Sequence, residues 1–179
     1  MSAVHAGPAP PSPRAGFARW RVPIGFVAVW LVLWLARPTP SSLAIGLPIA
    51  LLGQGLRLWA AGHLEKSREV TSSGPYRFTR HPLYLGSTLM GVGLAVASAH
   101  WAVAVLVGLY LATTLWVAIR TEEAYLRATF GATYDRYTAG ALPTASRRFS
   151  LERAVRNKEY RAPIGLLVVS LFLVWRALS

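Results

Sequence analysis

Long apolar runs, five in all, limit this chain to folds that a lipid bilayer permits. Each is close to the roughly 20 residues that an α-helix needs to cross about 30 Å of hydrocarbon, although the last is short. Backbone groups in lipid must be hydrogen-bonded within the segment, so each run is predicted to be an α-helix. The runs are Arg19–Pro38, Leu43–Ala61, Pro82–Ala99, Trp101–Ile119 and Pro163–Leu178.

The composition agrees with a membrane location. The chain of 179 residues is 54% hydrophobic and 15% charged, whereas soluble domains are about 25% charged. Residues 1–16 are rich in Pro and Ala and are predicted to be a disordered tail. Residues 17–179 are predicted to form a single membrane-embedded domain. A basic flank before the first run is also compatible with a secretory signal, but no clear cleavage site follows, which favours a retained helix. We therefore predict an all-α integral membrane protein with about five transmembrane helices and cytoplasmic amphipathic helices.

Positive charge is distributed unevenly along the chain, whose net charge is +12. If all five runs span, all but two of the 19 Lys and Arg residues fall on one side, the exceptions being Arg37 and Arg176. Positive charges accumulate on the cytoplasmic side, so the N-terminus and both long connections are predicted to be cytoplasmic. These basic residues are not interleaved with stacking aromatics on a soluble domain, so a nucleic-acid partner is not expected. The absence of cysteine excludes disulfides and thiolate nucleophiles.

Polar residues inside or next to membrane helices are functional candidates, and the first group lies at the end of the second run. Gln54 and Arg57 are three residues apart and share a helix face. Gly53 and Gly55 are predicted to allow close approach of another helix. Arg57 is equally compatible with a side chain that reaches up to the headgroups. His63 follows in the connection, either as a site residue or as an inert surface histidine.

The second group surrounds the start of the third run, in "GPYRFTRHPLYLGS". Pro82 disfavours helical geometry at His81 and suits the first position of a helix, so the helix is predicted to start there. Arg80 adds a planar donor suited to carboxylates, and Tyr84 lies one turn further on. A stripe of small residues follows at helical spacing and is predicted to contact a helix or a flat ligand: Ser87, Gly91 and Ala95.

The third group, "IRTEEAYLRATFGATYDRY", follows the fourth run. Adjacent helical residues point about 100° apart, so only one of Glu122 and Glu123 is expected to face a pocket easily. A solvated helix end is the alternative interpretation. The Phe130-Gly131 pair is typical of a helix stop, with a second short element after it.

Together, "GPYRFTRHPLYLG" and "EEAYLRATFGATYDRY", about 35 residues apart, resemble the isoprenylcysteine carboxyl methyltransferase and phospholipid methyltransferase superfamily. The resemblance covers residues 53–143 and leaves the C-terminal span 163–178 as an addition. It implies an S-adenosylmethionine (SAM) pocket at the cytoplasmic helix ends and no metal. By this resemblance Arg80 and Glu122 are the catalytic candidates. The implied cofactor-binding residues are His63, His81, Pro82, Tyr84, Gly86, Glu122 and Glu123.

The implied activity is SAM-dependent methyl transfer to a lipophilic or small acceptor at the cytoplasmic face of a bacterial inner membrane. Carboxylate, amine, thiol and hydroxyl acceptors are all compatible with the sequence, and the oligomeric state is left open. Two alternatives remain at this stage. Membrane sterol-type reductases, which use NADPH, resemble the same superfamily in their C-terminal helices. A non-enzymatic scaffold or small transporter is the other alternative, although the near absence of charge inside the spans argues against ion translocation.

Overall fold

A computed structural model describes Val27 and residues 30–179, and all regular structure among them is helical. The predicted tail, 1–16, and half of the first predicted span, Arg19–Pro38, lie outside the described residues. The chain divides into two compact units at Leu35, and residues 30–35 are helical. The later helices are α1 (Pro40–Ala61), a 3-10 turn (Gly74–Arg77), α2 (Pro82–Ala97), α3 (Trp101–Phe130), α4 (Ala132–Thr138), α5 (Leu151–Arg156) and α6 (Arg161–Leu178).

The start of α1 is set by a capping box. The Thr39 hydroxyl accepts a hydrogen bond from the Ser42 N–H at 3.1 Å, and the Ser42 hydroxyl accepts one from the Thr39 N–H at 2.9 Å. Pro40 occupies the first turn, where its missing N–H costs nothing. The Ser42 hydroxyl also donates to the Ala97 carbonyl at 3.0 Å, so the start of α1 lies beside the end of α2.

The antiparallel pair α1–α2 is packed backbone to backbone. A Cβ built on Gly53 would lie 2.5 Å from the Met90 nitrogen and 2.6 Å from the Gly86 oxygen. Gly46 and Gly93 make equally close approaches nearer the other end of the pair. Only residues without a side chain permit such spacing, which is the usual packing device of membrane helices. The prediction for Gly53 is therefore confirmed, whereas no atom of the described residues lies within 4 Å of the Cβ built on Gly55, so that prediction stays untested.

α2 and α3 are joined by a short turn, residues 98–100, as the sequence predicts. α3 contains 30 residues, about 45 Å at 1.5 Å per residue, and extends well beyond the predicted span Trp101–Ile119. It ends where Gly131 adopts φ +46°, a conformation that side chains disfavour. Of the small-residue stripe, Gly91 contacts Leu111 of α3, so this stripe serves helix packing in part.

The C-terminal segment packs back on this hairpin. Leu173 of α6 is buried with Ala36 and Ala97 in an apolar cluster. The Arg176 guanidinium donates to the Ala36 carbonyl at 3.4 Å. Glu159, just before α6, pairs with Arg57 near the end of α1, and Leu173 near the end of α6 packs in the same cluster as Leu43 near the start of α1. The two helices are therefore antiparallel.

Three of the described helices are long and apolar enough to cross a membrane, namely α1, α3 and α6. α2 is apolar but has only 16 residues. Large apolar side chains on α3 and α6 are exposed, among them Trp116 and Trp175 at 64% and 60%, as expected of lipid-facing surfaces. The protein is therefore an integral membrane protein, and the count of five spans stays a prediction.

Candidate active site

His81 and Glu123 join the two sequence motifs directly. The His81 Nε2 atom lies 3.0 Å from the Glu123 Oε1 atom, and both side chains are partly buried. Pro82 starts α2, and His81 before it has φ −130° and ψ 54°, outside the α-helical region that proline disfavours for the preceding residue. That backbone turn directs His81 across to α3 rather than along α2. The predicted start of α2 is thereby confirmed, and the two distant motifs form one cluster.

Tyr84 and Tyr76 extend this cluster toward α1. The Tyr84 ring stacks on His81 at 5.8 Å between centroids. Burial raises the pKa of the Tyr76 phenol, and the nearby carboxylate of Glu122 raises it further. The Glu123 carboxylate faces His81, and its neighbour Glu122 is half-buried on the same helix. That only one of the two faces a pocket stays a prediction.

The α4 tyrosines close a second side of the cluster. The Tyr137 hydroxyl donates to the Tyr76 carbonyl at 2.8 Å. Tyr134 is 1% exposed, and its hydroxyl has no hydrogen-bond partner among the described residues. Burial raises the pKa of Tyr134, Glu123 raises it further, and the positive charge of Arg80 opposes both. Arg80 is itself exposed, and the Arg127 guanidinium lies 5.7 Å from the centre of the Tyr134 ring.

Arg57 makes the strongest ion pair near the cluster. Its Nε and Nη2 atoms donate to the two carboxylate oxygens of Glu159 at 2.8 and 3.0 Å, and its Nη1 atom donates to the Ser87 hydroxyl. Such a two-point contact fixes the planar guanidinium. Arg57 is therefore neither a free site charge nor a side chain that reaches to the headgroups, which were the two interpretations of the sequence.

His63 and Gly86 have packing roles in the structure. His63 is 5% exposed, its Nδ1 atom lies 3.0 Å from the Trp59 carbonyl, and its ring lies against Gly74. Gly86 is covered by Arg57, because a Cβ there would lie 2.7 Å from the Arg57 Cγ atom. Their assignments to the cofactor stay predictions, and the described contacts explain both residues without a ligand.

The connection 62–73 is held by the segment 143–157. The Arg153 guanidinium donates to the Glu65 carboxylate at 2.7 Å and to the Gly62 carbonyl at 2.5 Å. The Asn157 amide donates to the Ala61 carbonyl at 3.0 Å. The hydrogen bond from Arg153 lowers the pKa of Glu65, and burial opposes it. These bonds tie the C-terminal segment to the end of α1.

Three members of the cluster were missed by sequence reasoning: Tyr76, Tyr134 and Glu159. Tyr76 and Tyr134 lie inside the quoted motifs. Tyrosine is often buried for its apolar ring, so neither hydroxyl was considered as a site group. Glu159 lies in the basic stretch before α6, where a carboxylate is expected to pair locally. The one signal for it was the scarcity of acids, since the chain has only seven Asp and Glu.

A separate cavity of about 370 Å³ lies at the other end of the α2–α3 hairpin. Its walls are apolar and small side chains, among them Val92, Val107 and Leu111, together with His100 from the turn. Ala95 of the small-residue stripe lines it, whereas the predicted catalytic and cofactor-binding residues are not among its described lining. The chemistry-bearing residues are thus concentrated at the opposite helix ends.

Comparison with known proteins agrees with these motifs. The model of the phospholipid methyltransferase family matches residues 41–133, more than half of the chain. The chain belongs to this family. The match begins at the start of α1 and ends within α4, so it contains the first motif and residues 122–133 of the second, and it excludes Tyr134, Glu159 and α6.

The most informative relatives carry two kinds of name. The chain is 32% identical over 136 residues to the cobalt-zinc-cadmium resistance protein CzcN of Cupriavidus metallidurans, covering 71% of this chain and 63% of that protein. It is 30% identical over 162 residues to the nickel-cobalt-cadmium resistance protein NccN of Alcaligenes xylosoxydans xylosoxydans, covering 82% of this chain and 74% of that protein.

A third relative is an enzyme by name, the protein-S-isoprenylcysteine O-methyltransferase of Schizosaccharomyces pombe. The identity is 31% over 85 residues, covering 48% of this chain and 36% of that protein. Together with the family match, it confirms the resemblance to the isoprenylcysteine and phospholipid methyltransferase superfamily. No solved protein structure matches this chain significantly.

Proposed function

We propose that this protein is a membrane methyltransferase that transfers a methyl group from SAM to a lipophilic or small acceptor. The observation that carries the proposal is the contact of His81 with Glu123, which unites the two family motifs in one polar cluster. Around that contact, Glu122 adds a second carboxylate, and Tyr134 adds a buried hydroxyl without a partner among the described residues.

The described residues fit SAM by charge and by hydrogen bonding. SAM carries a positive sulfonium and an amino group, and Glu122 and Glu123 supply two carboxylates in an otherwise cationic region. The Tyr134 hydroxyl has an unused donor and acceptor, and such a buried group is costly unless something bonds it. We assign cofactor binding to Glu122, Glu123, His81, Tyr84 and Tyr134.

The chain's own residues align and shield the reactants. SAM supplies an activated methyl group: the acceptor's electron pair forms the new bond to carbon while the carbon–sulfur bond breaks and its electrons stay on sulfur. Such a displacement depends on alignment and on the exclusion of water. Glu123 holds the His81 ring in place, and Arg80 is positioned to orient an anionic acceptor. An amine or thiol acceptor must lose its proton before it attacks.

The helix lengths support a site at the membrane boundary. α2 spans about 24 Å from the 98–100 turn to Pro82 at 1.5 Å per residue, slightly less than a hydrocarbon core of about 30 Å. If that turn lies at one surface, His81 lies near the other, where a water-soluble cofactor and a lipophilic acceptor can meet. The concentration of Lys and Arg in the connections assigns that surface to the cytoplasmic side of a bacterial inner membrane.

The decisive experiment is methyl transfer by the purified protein. The protein in detergent or vesicles is given SAM with a tritiated methyl group, together with membrane lipids or small thiols, and the products are identified by mass. We expect transfer by the wild type and loss of transfer in Glu123→Gln, with SAM binding followed by calorimetry. No binding at millimolar SAM would overturn the proposal, and NADPH oxidation would favour the reductase alternative.

A second candidate function comes from the names of the two bacterial relatives. CzcN and NccN are named as metal resistance proteins, and the identities of 32% and 30% favour a related role in tolerance to cobalt and cadmium. Among the described residues, no three His, Asp or Glu side chains gather as a metal site. A deletion strain complemented with wild type or Glu123→Gln, grown on these metals, tests whether tolerance depends on the same site.

A further inference from the structure

The buried ion pair Arg57–Glu159 connects the C-terminal segment to the family core. Glu159 is 6% exposed and Arg57 is 21% exposed. Both carboxylate oxygens of Glu159 accept hydrogen bonds from Arg57. A buried carboxylate of this kind is tolerated only when it is paired, and here both of its oxygens are directed at one guanidinium.

Arg57, held by Glu159, also contacts α2. Its third nitrogen donates to the Ser87 hydroxyl, which also donates to the Leu83 carbonyl at 2.9 Å. The Arg57 stem covers Gly86. Ser87 lies one helical turn after Tyr84, whose ring stacks on His81. A set of contacts therefore runs from Glu159 to Ser87 and Leu83 in the first two turns of α2, the helix that carries Tyr84 and follows His81.

The two partners of this ion pair come from different parts of the chain. The family match ends at residue 133, so Arg57 and Ser87 belong to the matched core and Glu159 does not. Backbone bonds fix Glu159 between α5 and α6: its N–H donates to the Ala154 carbonyl at 3.1 Å, and its carbonyl accepts from the Ala162 N–H at 3.1 Å. The C-terminal segment thus supplies the counter-charge that holds a core arginine.

We propose that Glu159 is a positioning residue of the methyl-transfer site, acting through Arg57 and Ser87 on the first turns of α2. The inference rests on the proposed function. It gives the segment after residue 133 a specific role, because that segment then fixes the orientation of His81 and Tyr84, so that SAM is bound with its methyl group aligned.

The test separates positioning from mere stability. In Arg57→Met/Glu159→Leu, apolar side chains replace the pair, which is often neutral for folding. The control Arg153→Met/Glu65→Leu removes another ion pair between the same segment and the core, 15% and 16% exposed, which does not reach α2. For the first variant we expect kcat/KM for SAM to fall about 100-fold at similar Tm, the size of effect that small misplacements cause. The control is expected to change Tm as little as the first variant and to keep its affinity for SAM.

Ser87→Ala covers the case in which the double variant fails to fold. It removes the bond from Arg57 to α2, together with the Ser87 bond to the Leu83 carbonyl inside α2, and leaves the ion pair intact. Weaker SAM binding by Ser87→Ala supports the inference, whereas unchanged binding and kcat in folded Ser87→Ala or in the folded double variant overturns it. If the wild type itself binds no SAM, the proposed function is wrong, and the inference about Glu159 is wrong with it. If the wild type binds SAM and the variants bind it equally well, only the inference about Glu159 is wrong.

Discussion

Gly53→Ala should destabilise the protein by a steric effect that can be worked out from the structure. The new Cβ would lie 2.5 Å from the Met90 nitrogen and 2.6 Å from the Gly86 oxygen, whereas ordinary contacts begin at 3.4 Å. Both neighbours are backbone atoms, so no side chain can move away and the two helices must separate by roughly 0.9 Å. Overpacking of this kind costs about 1–3 kcal/mol.

A measurable decrease in Tm follows from this cost. For a chain of this size, about 2–4 °C is lost per kcal/mol, so we expect a decrease of about 2–12 °C in detergent, measured by tryptophan fluorescence. Methyl transfer should fall as well, because Arg57 lies one turn further along α1 and covers Gly86. Gly55→Ala is the matched control, since open space surrounds its built Cβ and a helical Gly→Ala change stabilises by about 0.5–1 kcal/mol. Equal Tm values for the two variants would refute the close α1–α2 packing.

Three further predictions concern the site and its supports. Arg80→Ala should lower methyl transfer to an anionic acceptor by about 100-fold with little change in Tm, because Arg80 is exposed; unchanged transfer removes its assigned role. The Arg153 hydrogen bond lowers the pKa of Glu65. The ionised Glu65 therefore stabilises the fold above the carboxyl's ordinary pKa of 4.5, and this stabilisation is lost as the pH falls below that value. The Tm of the wild type should drop more steeply with acid than that of Glu65→Gln. Burial raises the pKa of Tyr137 to about 12. The neutral phenol, which donates to the Tyr76 carbonyl, should therefore stabilise the fold below about pH 10, the ordinary pKa of a tyrosine. This stabilisation should be lost as the pH rises from there to about 12. Tyr137→Phe should cost about 1 kcal/mol and remove that alkaline step, and an unchanged step would assign it to another group.

The helical elements were predictable because their signals are local. Pro82 after His81 marks the start of α2, and Gly131 marks the end of α3, where the structure places both boundaries. The length of α3 was less accessible, since hydropathy falls after Ile119 while the backbone continues as a helix to Phe130. Gly53 and Gly55 show a second limit. Both are glycines of α1, but among the described residues only Gly53 lies on the face that contacts α2. The sequence does not specify how the helix is rotated about its axis, so it does not show which glycine faces the neighbouring helix.

The candidate site was predictable as far as its motifs extend. His81, Tyr84, Glu122 and Glu123 were named, and the structure brings them together. Glu159 was not predictable, because its partner Arg57 is 102 positions away and nothing near either residue indicates the pairing. Long-range ion pairs depend on tertiary packing, and this one depends on how α6 returns along α1.

The unbroken course of α3 should make the proposed activity sensitive to the thickness of the host membrane. From Trp101 to Glu122 the rise is about 32 Å at 1.5 Å per residue, and a rigid rod cannot shorten. In a thicker bilayer the glutamates are drawn toward the acyl chains, and in a thinner one they are pushed into water, unless the rod tilts. Reconstitution into vesicles of increasing acyl-chain length should therefore give turnover with a maximum at one chain length.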